Sequence, residues 1–197
     1  MDSLRDDILL RSMLFIMTMC LICAVKVTTS DPRQTIQSLI DAVKELSLKG
    51  EDNPDPGLVK KISGVMDIGG ISKACLSSYW KKLSPEEQKD FVSLFRDVLE
   101  KVAYPKSAKF FKDTEVDIEE VTIENDNAHV ITVVSHPEEG LVEVEYVLKS
   151  FGGAWLIEDV ILDGVSLLQD LRAQMQKIIK EKSYQELKRR LREKLEE

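Results

Sequence analysis

Metal and redox sites are built from cysteine and histidine, and this sequence has little of either: three Cys and two His in 197 residues. Glycine and proline are sparse as well, at 9 and 6, which excludes a collagen-like or low-complexity chain. Cations are outnumbered, with 27 Lys and Arg against 35 Asp and Glu, a formal charge of −8. A nucleic-acid binder neutralises phosphates with a basic face, so this balance argues against one. No glycine-rich phosphate loop, G-x-S-x-G elbow or H-E-x-x-H occurs, nor any C-x-x-C beyond residue 30. His129 and His136 stand seven apart, at a strand and a turn, which is not the ligand spacing of one site. No metal, cofactor or catalytic residue is therefore expected. What is present is an acidic chain of 43% hydrophobic residues, long enough for one domain with a sizeable core.

The first thirty residues differ in kind from the rest. Met13 to Val25 is almost uninterrupted apolar sequence, preceded by Arg5 and Arg11. A membrane-spanning helix needs about 20 apolar residues, and the run is shorter than that. It has the length of a secretory h-region, with Thr28 and Ser30 as the small residues ahead of Asp31. Residues 1–30 are thus expected to be a signal peptide, or else an N-terminal membrane anchor. Cys23 follows Cys20-Leu21-Ile22, without the small residue a lipidation signal wants. Cys75 is then the one thiol left after cleavage, and a buried small hydrophobe is the expected role.

From Asp31 the period is that of helices. Ile36, Leu39, Ile40, Val43 and Leu46 form one stripe, which Gly50 ends ahead of a loop at 51–57. A second helix is predicted over Leu58–Met66, a break at Asp67-Ile68-Gly69-Gly70, and a third helix over Ile71–Lys82. Ser84-Pro85-Glu86-Glu87 is a capping box with proline at the first helical position, opening a helix whose stripe of Phe91, Phe95, Val98, Leu99 and Val102 runs up to Tyr104-Pro105.

After Lys112 the period becomes two. Four strands are predicted: Val116–Ile123 with a bulge at Glu119-Glu120, Ala128–Ser135, Leu141–Ser150 and Ala154–Asp163. The short turns between them specify an antiparallel meander. A helix from Val165 to about Lys180 would lay Leu168, Leu171, Met175, Ile178 and Ile179 on the sheet. The stretch 183–197 is dense in charge, with a thin stripe of Tyr184, Leu187, Leu191 and Leu195, and reads as a solvated terminal helix. Its cluster of Lys188, Arg189, Arg190 and Arg192 leaves docking to a partner or an anionic surface as the sharper alternative. The fold class is α+β.

Charge is unevenly spread. From Asp113 to Leu148 there are eleven acids and no Lys or Arg, mostly at alternate strand positions, so one sheet face is anionic. Such a face either keeps the sheet soluble and its edges apart or docks a basic partner. Asp159, between Ile157 and Ile161, is the one acid in register with apolar neighbours. A structural hydrogen-bonding role is expected of it, with a general base on the same fold as the alternative.

The segment Trp155-Leu156-Ile157-Glu158-Asp159-Val160-Ile161-Leu162-Asp163-Gly164-Val165-Ser166-Leu167, running on to Arg172-Ala173-Gln174, resembles the MlaC/toluene-tolerance family of periplasmic phospholipid carriers. Upstream, Met66-Asp67-Ile68, Leu76, Tyr79-Trp80-Lys81-Lys82-Leu83-Ser84-Pro85-Glu86-Glu87-Gln88, Phe91, Phe95 and Tyr104 look like that family's helical segment. The likeness covers about residues 31–182. Leu171 and Met175 stand where aromatic residues are expected, and Ile68 where the family often has Phe.

The resemblance implies an NTF2-like curved antiparallel sheet with N-terminal helices and a C-terminal helix around an apolar pocket. The domain would run over 31–182, with a helical part at 31–112, the sheet at 113–163, a helix at 164–182 and a charged tail at 183–197. It further implies a monomeric periplasmic carrier whose ligand is a phospholipid. The implied partners are an inner-membrane ABC transporter complex with an MCE-domain subunit and an outer-membrane lipoprotein complex. On that reading the acyl chains would meet residues flanking the helix–sheet interface: Ile68, Ile71, Leu76, Tyr79, Val144, Tyr146, Leu148, Trp155, Val165 and Leu168. The competing readings are a periplasmic interaction or chaperone module whose cavity is filled core, and an NTF2-like enzyme using Asp159.

Overall fold

A computed structural model of the chain describes residues 31–49 and 54–196. The expected leader, Gly50 as a helix stop and residues 51–53 of the first loop lie outside them. Helix α1, Pro32–Lys49, buries the stripe of Ile36, Leu39, Ile40, Val43 and Leu46. Helix α2, Pro56–Gly64, starts at Asp55, whose carboxylate accepts from the Gly57 and Leu58 amides at 2.8 and 3.2 Å. Lys49 at the end of α1 donates to the same carboxylate at 2.7 Å and ties the two helices together.

The glycine pair at 69–70 does not break the chain as expected; it lies in the first turn of helix α3, Ile68–Leu76. Asp67 caps that helix through the Gly70 amide at 2.9 Å, and a Cβ on Gly70 would fall 2.0 Å from the Asp67 carboxylate. The glycine makes room for the cap. The helix also ends earlier than predicted: Ser77 takes φ +50°, and Ser77–Lys82 continues as a 3₁₀ turn.

Helix α4, Pro85–Val98, carries the expected capping box, with the Glu87 amide 3.2 Å from Ser84 Oγ and the Ser84 amide 2.9 Å from Glu87 Oε2. The chain then passes Pro105 instead of stopping there. A π-turn over Leu99–Ala103, closed by the Tyr104 amide on the Leu99 carbonyl, shifts the hydrogen-bond ladder. Pro105, which has no amide hydrogen, then falls in the first turn of helix α5, Tyr104–Phe110.

The sheet has five strands in chain order, each antiparallel to the next: β1 Glu115–Glu124, β2 Asn127–His136, β3 Gly140–Phe151, β4 Ala154–Leu162 and the two-residue β5 Val165–Ser166. The fifth strand was not foreseen. The bulge expected at Glu119-Glu120 is present, because Ile118 faces Thr132 and Glu120 faces Ile131 with Glu119 left over. A second bulge, unsignalled in the sequence, leaves Glu158 unpaired between Ile157 and Asp159. The outer edge of β4 is met by the segment before α3, where the Ile157 amide donates to Val65 at 2.8 Å and the Asp67 amide to Ile157 at 2.9 Å. That bridge joins the helical layer to the sheet and covers part of an otherwise open edge.

Two cores result. The first lies between α1, α2, α5 and the inner face of the sheet. The second is helical, formed by α3, α4, helix α6 (Leu167–Glu181) and helix α7 (Tyr184–Glu193). Leu168, Leu171, Met175, Ile178 and Ile179 of α6 belong to this second core, so that face packs chiefly on helices, a correction to the expected packing on the sheet. Helix α7 is not a solvated terminus. Tyr184 and Leu187 are 3% and 1% exposed, and the Tyr184 ring packs on Tyr79 and Phe91 at 5.1 and 6.1 Å. Among the described residues no helix is long and apolar enough to cross a membrane.

Candidate functional site

The two cores do not close on each other. Between them is a cavity of about 500 Å³, inside the range of small-molecule sites. The first core supplies Leu39, Ile40 and Val43 from α1, Ile62 from α2, Tyr104 from α5, and Val144 and Tyr146 from β3. The second supplies Ile71, Phe95, Leu168 and Leu171. Ala103 and Leu99, from the π-turn, complete one wall, and Phe110 and Phe111 lie at the end of α5. The polar lining is confined to a few groups: exposed Lys106 and Ser107 on α5, and half-buried Glu158 and Asp159 at the second bulge.

The two tyrosines of the lining are held in their neutral form. Burial pushes the Tyr146 phenol up to about 12, against a small opposing pull from the Thr132 hydroxyl. Burial also raises Tyr104, whose hydroxyl lies 3.4 Å from Ser63 Oγ, while Ser63 donates to Glu100 at 2.6 Å. Cys75 is buried and free, its thiol raised to about 11 by desolvation, which removes it from nucleophilic chemistry near neutrality. Among the described residues no group of three His, Cys, Asp or Glu could hold a metal ion.

Asp159 is not where simple alternation puts it. The bulge brings Ile157 opposite Leu148 and Val160 opposite Tyr146, and sets Asp159 opposite Val147. Its carboxylate accepts from the amides of Val160 at 2.8 Å and Leu168 at 2.9 Å, and from Ser166 Oγ at 2.5 Å. Ser166 Oγ in turn accepts from the Gln169 amide at 3.0 Å, the cap of α6. Both carboxylate oxygens are engaged in fixing the strand-to-helix junction. The two histidines also have local partners: His129 Nδ1 lies 2.5 Å from Glu145, and His136 Nδ1 accepts from the Glu138 and Glu139 amides at 3.1 Å.

Of the ten residues proposed from the sequence, Ile71, Val144, Tyr146 and Leu168 line the cavity. The other six do not. Ile68 and Leu76 fill the second core, Tyr79 packs there on Tyr184, Leu148 is fully buried in the first core, and half-buried Trp155 packs against it. Val165 on β5 is 60% exposed. The residues missed, chiefly Leu39, Ile40, Val43, Phe95 and Leu99, all sat on stripes read as core. Periodicity identifies a buried face but not which part of it borders a void.

The family model described as MlaC protein matches residues 33–193, and so includes α7 as well as the part that carried the sequence resemblance. The chain belongs to the MlaC family. A search of curated proteins finds no match. Among solved structures, a phospholipid-binding protein from Ralstonia solanacearum, determined in complex with a phospholipid, superimposes with a TM-score of 0.69. It is 19% identical and covers 84% of this chain and 97% of its own. At that identity the likeness is one of fold: MlaC architecture, with the α+β arrangement and curved sheet.

Proposed function

We propose that this MlaC-family chain is a periplasmic phospholipid carrier, which holds acyl chains in the cavity between its two cores with the headgroup left at a wet mouth. The observation that carries the reading is an apolar cavity of about 500 Å³ in a member of this family. The lipid-bound relative of the same fold supports the choice of ligand. Two acyl chains hold about 30 methylenes, each worth roughly 0.8 kcal/mol when kept from water, so a lipid does not cross an aqueous space unaided. A carrier that matches the bilayer interior makes the exchange nearly neutral and needs no chemistry of its own. Direction then comes from partners. On this proposal the chain shuttles lipid between an outer-membrane lipoprotein complex and an inner-membrane ABC transporter with an MCE-domain subunit. It works as a monomer, brought to the periplasm by the segment 1–30.

The test is native mass spectrometry of the protein purified from a periplasmic extract without detergent. One phospholipid mass, released on denaturation and reduced in folded Tyr146→Glu or Leu168→Glu variants, is the expected result. An apo mass that lipid vesicles also fail to change would defeat the proposal and leave an interaction module in its place.

A further inference from the structure

The outer face of the sheet has no layer over it among the described residues, and its composition is one-sided. Between residues 113 and 163 there are fourteen acids and one lysine. Register shows how they are arranged. The alternate residues Val130, Thr132 and Val134 of β2 and Val144, Tyr146 and Leu148 of β3 are buried on the inner face, so their neighbours along the strands point outward. On that side Asp117, Val133 and Glu143 form one cross-strand row, and Glu120, Ile131, Glu145 and Ile161 form the next. Asp117, Glu120 and Glu143 are exposed, and Ile131, Val133 and Ile161 are half-exposed. The lysine of the sheet, Lys149, sits 6.0 Å over the Phe151 ring, two residues beyond Val147 and away from these rows.

Such a face is not the cheapest way to keep a sheet soluble. Interspersed charges of both signs do that without the mutual repulsion that like charges on one face bring. Here the strands provide almost no cation of their own, while half-exposed β-branched residues sit in the middle of the acids. Acidic surroundings with an apolar centre complement a protein surface on which lysine and arginine surround an apolar strip. Charge then sets approach and orientation, and the centre supplies the buried contact. An anionic lipid surface would be repelled.

We propose that the Asp117–Val133–Glu143 and Glu120–Ile131–Glu145 rows of the outer sheet face are the docking surface for a basic protein partner of the carrier. This rests on the proposed shuttle function for the existence of such a partner, and it places the contact on the sheet, away from the cavity interior.

The test uses the full chain and, as probes, the purified MCE-domain subunit and the outer-membrane lipoprotein complex of the same cell. Asp117→Lys and Glu143→Lys should each weaken binding of at least one probe about tenfold and flatten its dependence on salt between about 50 and 300 mM. Val133→Asp should weaken it by removing the apolar contact, even though the added negative charge favours a basic partner. Glu181→Lys, on the helical side, should leave binding unchanged. Both reversals should hold or raise the melting temperature, because they place a cation among acids, and lipid occupancy by native mass spectrometry should stay at the wild-type level. Acids serving solubility alone would give the same stability gain with no loss of binding, and that result would overturn the proposal. So would failure of both probes to bind a lipid-loaded wild type, which leaves the carrier reading standing. Loss of lipid loading itself counts against the carrier reading instead. Self-association in sedimentation that disappears on reversal would assign the face to a second copy, through its basic α7, and also overturn the proposal.

Discussion

Replacing Asp159 tests whether this acid holds the fold together or serves chemistry. Three donors converge on it: the amides of Val160 and Leu168 at 2.8 and 2.9 Å and Ser166 Oγ at 2.5 Å. A hydrogen bond to a charged acceptor contributes about 1.5–3 kcal/mol net. The Val160 bond is local and survives poorly as a tertiary contact, so Asp159→Ala should cost about 2–4 kcal/mol, most of it from the Leu168 and Ser166 links to α6. Asp159→Asn keeps Oδ1 for both amides, and its Nδ2 donates to Ser166 Oγ, so its cost should be about 1 kcal/mol. Urea denaturation followed by circular dichroism gives both values from the midpoints at constant slope. Ser166→Ala in combination should be non-additive with Asp159→Ala, because Asp159, Ser166 and the Gln169 amide form one network. Equal costs for Asn and Ala would refute the hydrogen-bond account. An Asn variant of wild-type stability that loses a measurable turnover would restore the general-base alternative.

Other consequences follow from the packing. Ala103→Phe projects a ring into the cavity from the π-turn; displacing about six methylenes at roughly 0.8 kcal/mol each should weaken lipid affinity more than a thousandfold, and a folded variant that still carries lipid would reject this wall assignment. Leu187→Ala should destabilise the protein by about 2–4 kcal/mol in thermal or urea unfolding, whereas a solvated terminal helix would lose almost nothing. Ser84→Ala should cost about 1 kcal/mol through the capping box, read by the same denaturation. Glu186 accepts from Arg189 and Arg190, and these hydrogen bonds lower its carboxyl from 4.5 to about 2. A depressed folded value means that its contribution is complete above pH 4.5 and is lost as pH falls through about 2. Amide-exchange protection in α7, taken relative to the intrinsic rate at each pH, should therefore fall across that window in wild type and show no such step in Glu186→Gln.

Local chemistry in the sequence determined most of the elements. The stripe of α1, the capping box at Ser84, the meander and its first bulge are readable because each depends on residues within a turn or a hairpin. The family was readable too, since the segment from Trp155 to Leu167 and the capped helix are contiguous in the chain. Expectations failed where an unsignalled cap, a shift of the hydrogen-bond ladder or a distant partner decided the outcome. Gly69-Gly70 looks like a break until Asp67 is seen turning back to cap α3. Pro105 looks like a stop until the π-turn absorbs its missing donor. Tyr184 and Leu187 look like a thin solvated stripe until Tyr79 and Phe91 cover them.

The cavity is the clearest case. Apolar periodicity determines which side of an element leaves water, and Ile71, Val144, Tyr146 and Leu168 were found that way. It says nothing of whether the space beyond is filled. That depended on the bulge at Glu158, which reset the facing of β4, and on α6 packing chiefly on α3 and α7 with only part of its contact on β4. Side-chain volume is a property of the sequence, but an unfilled volume exists only between elements held apart by their other contacts.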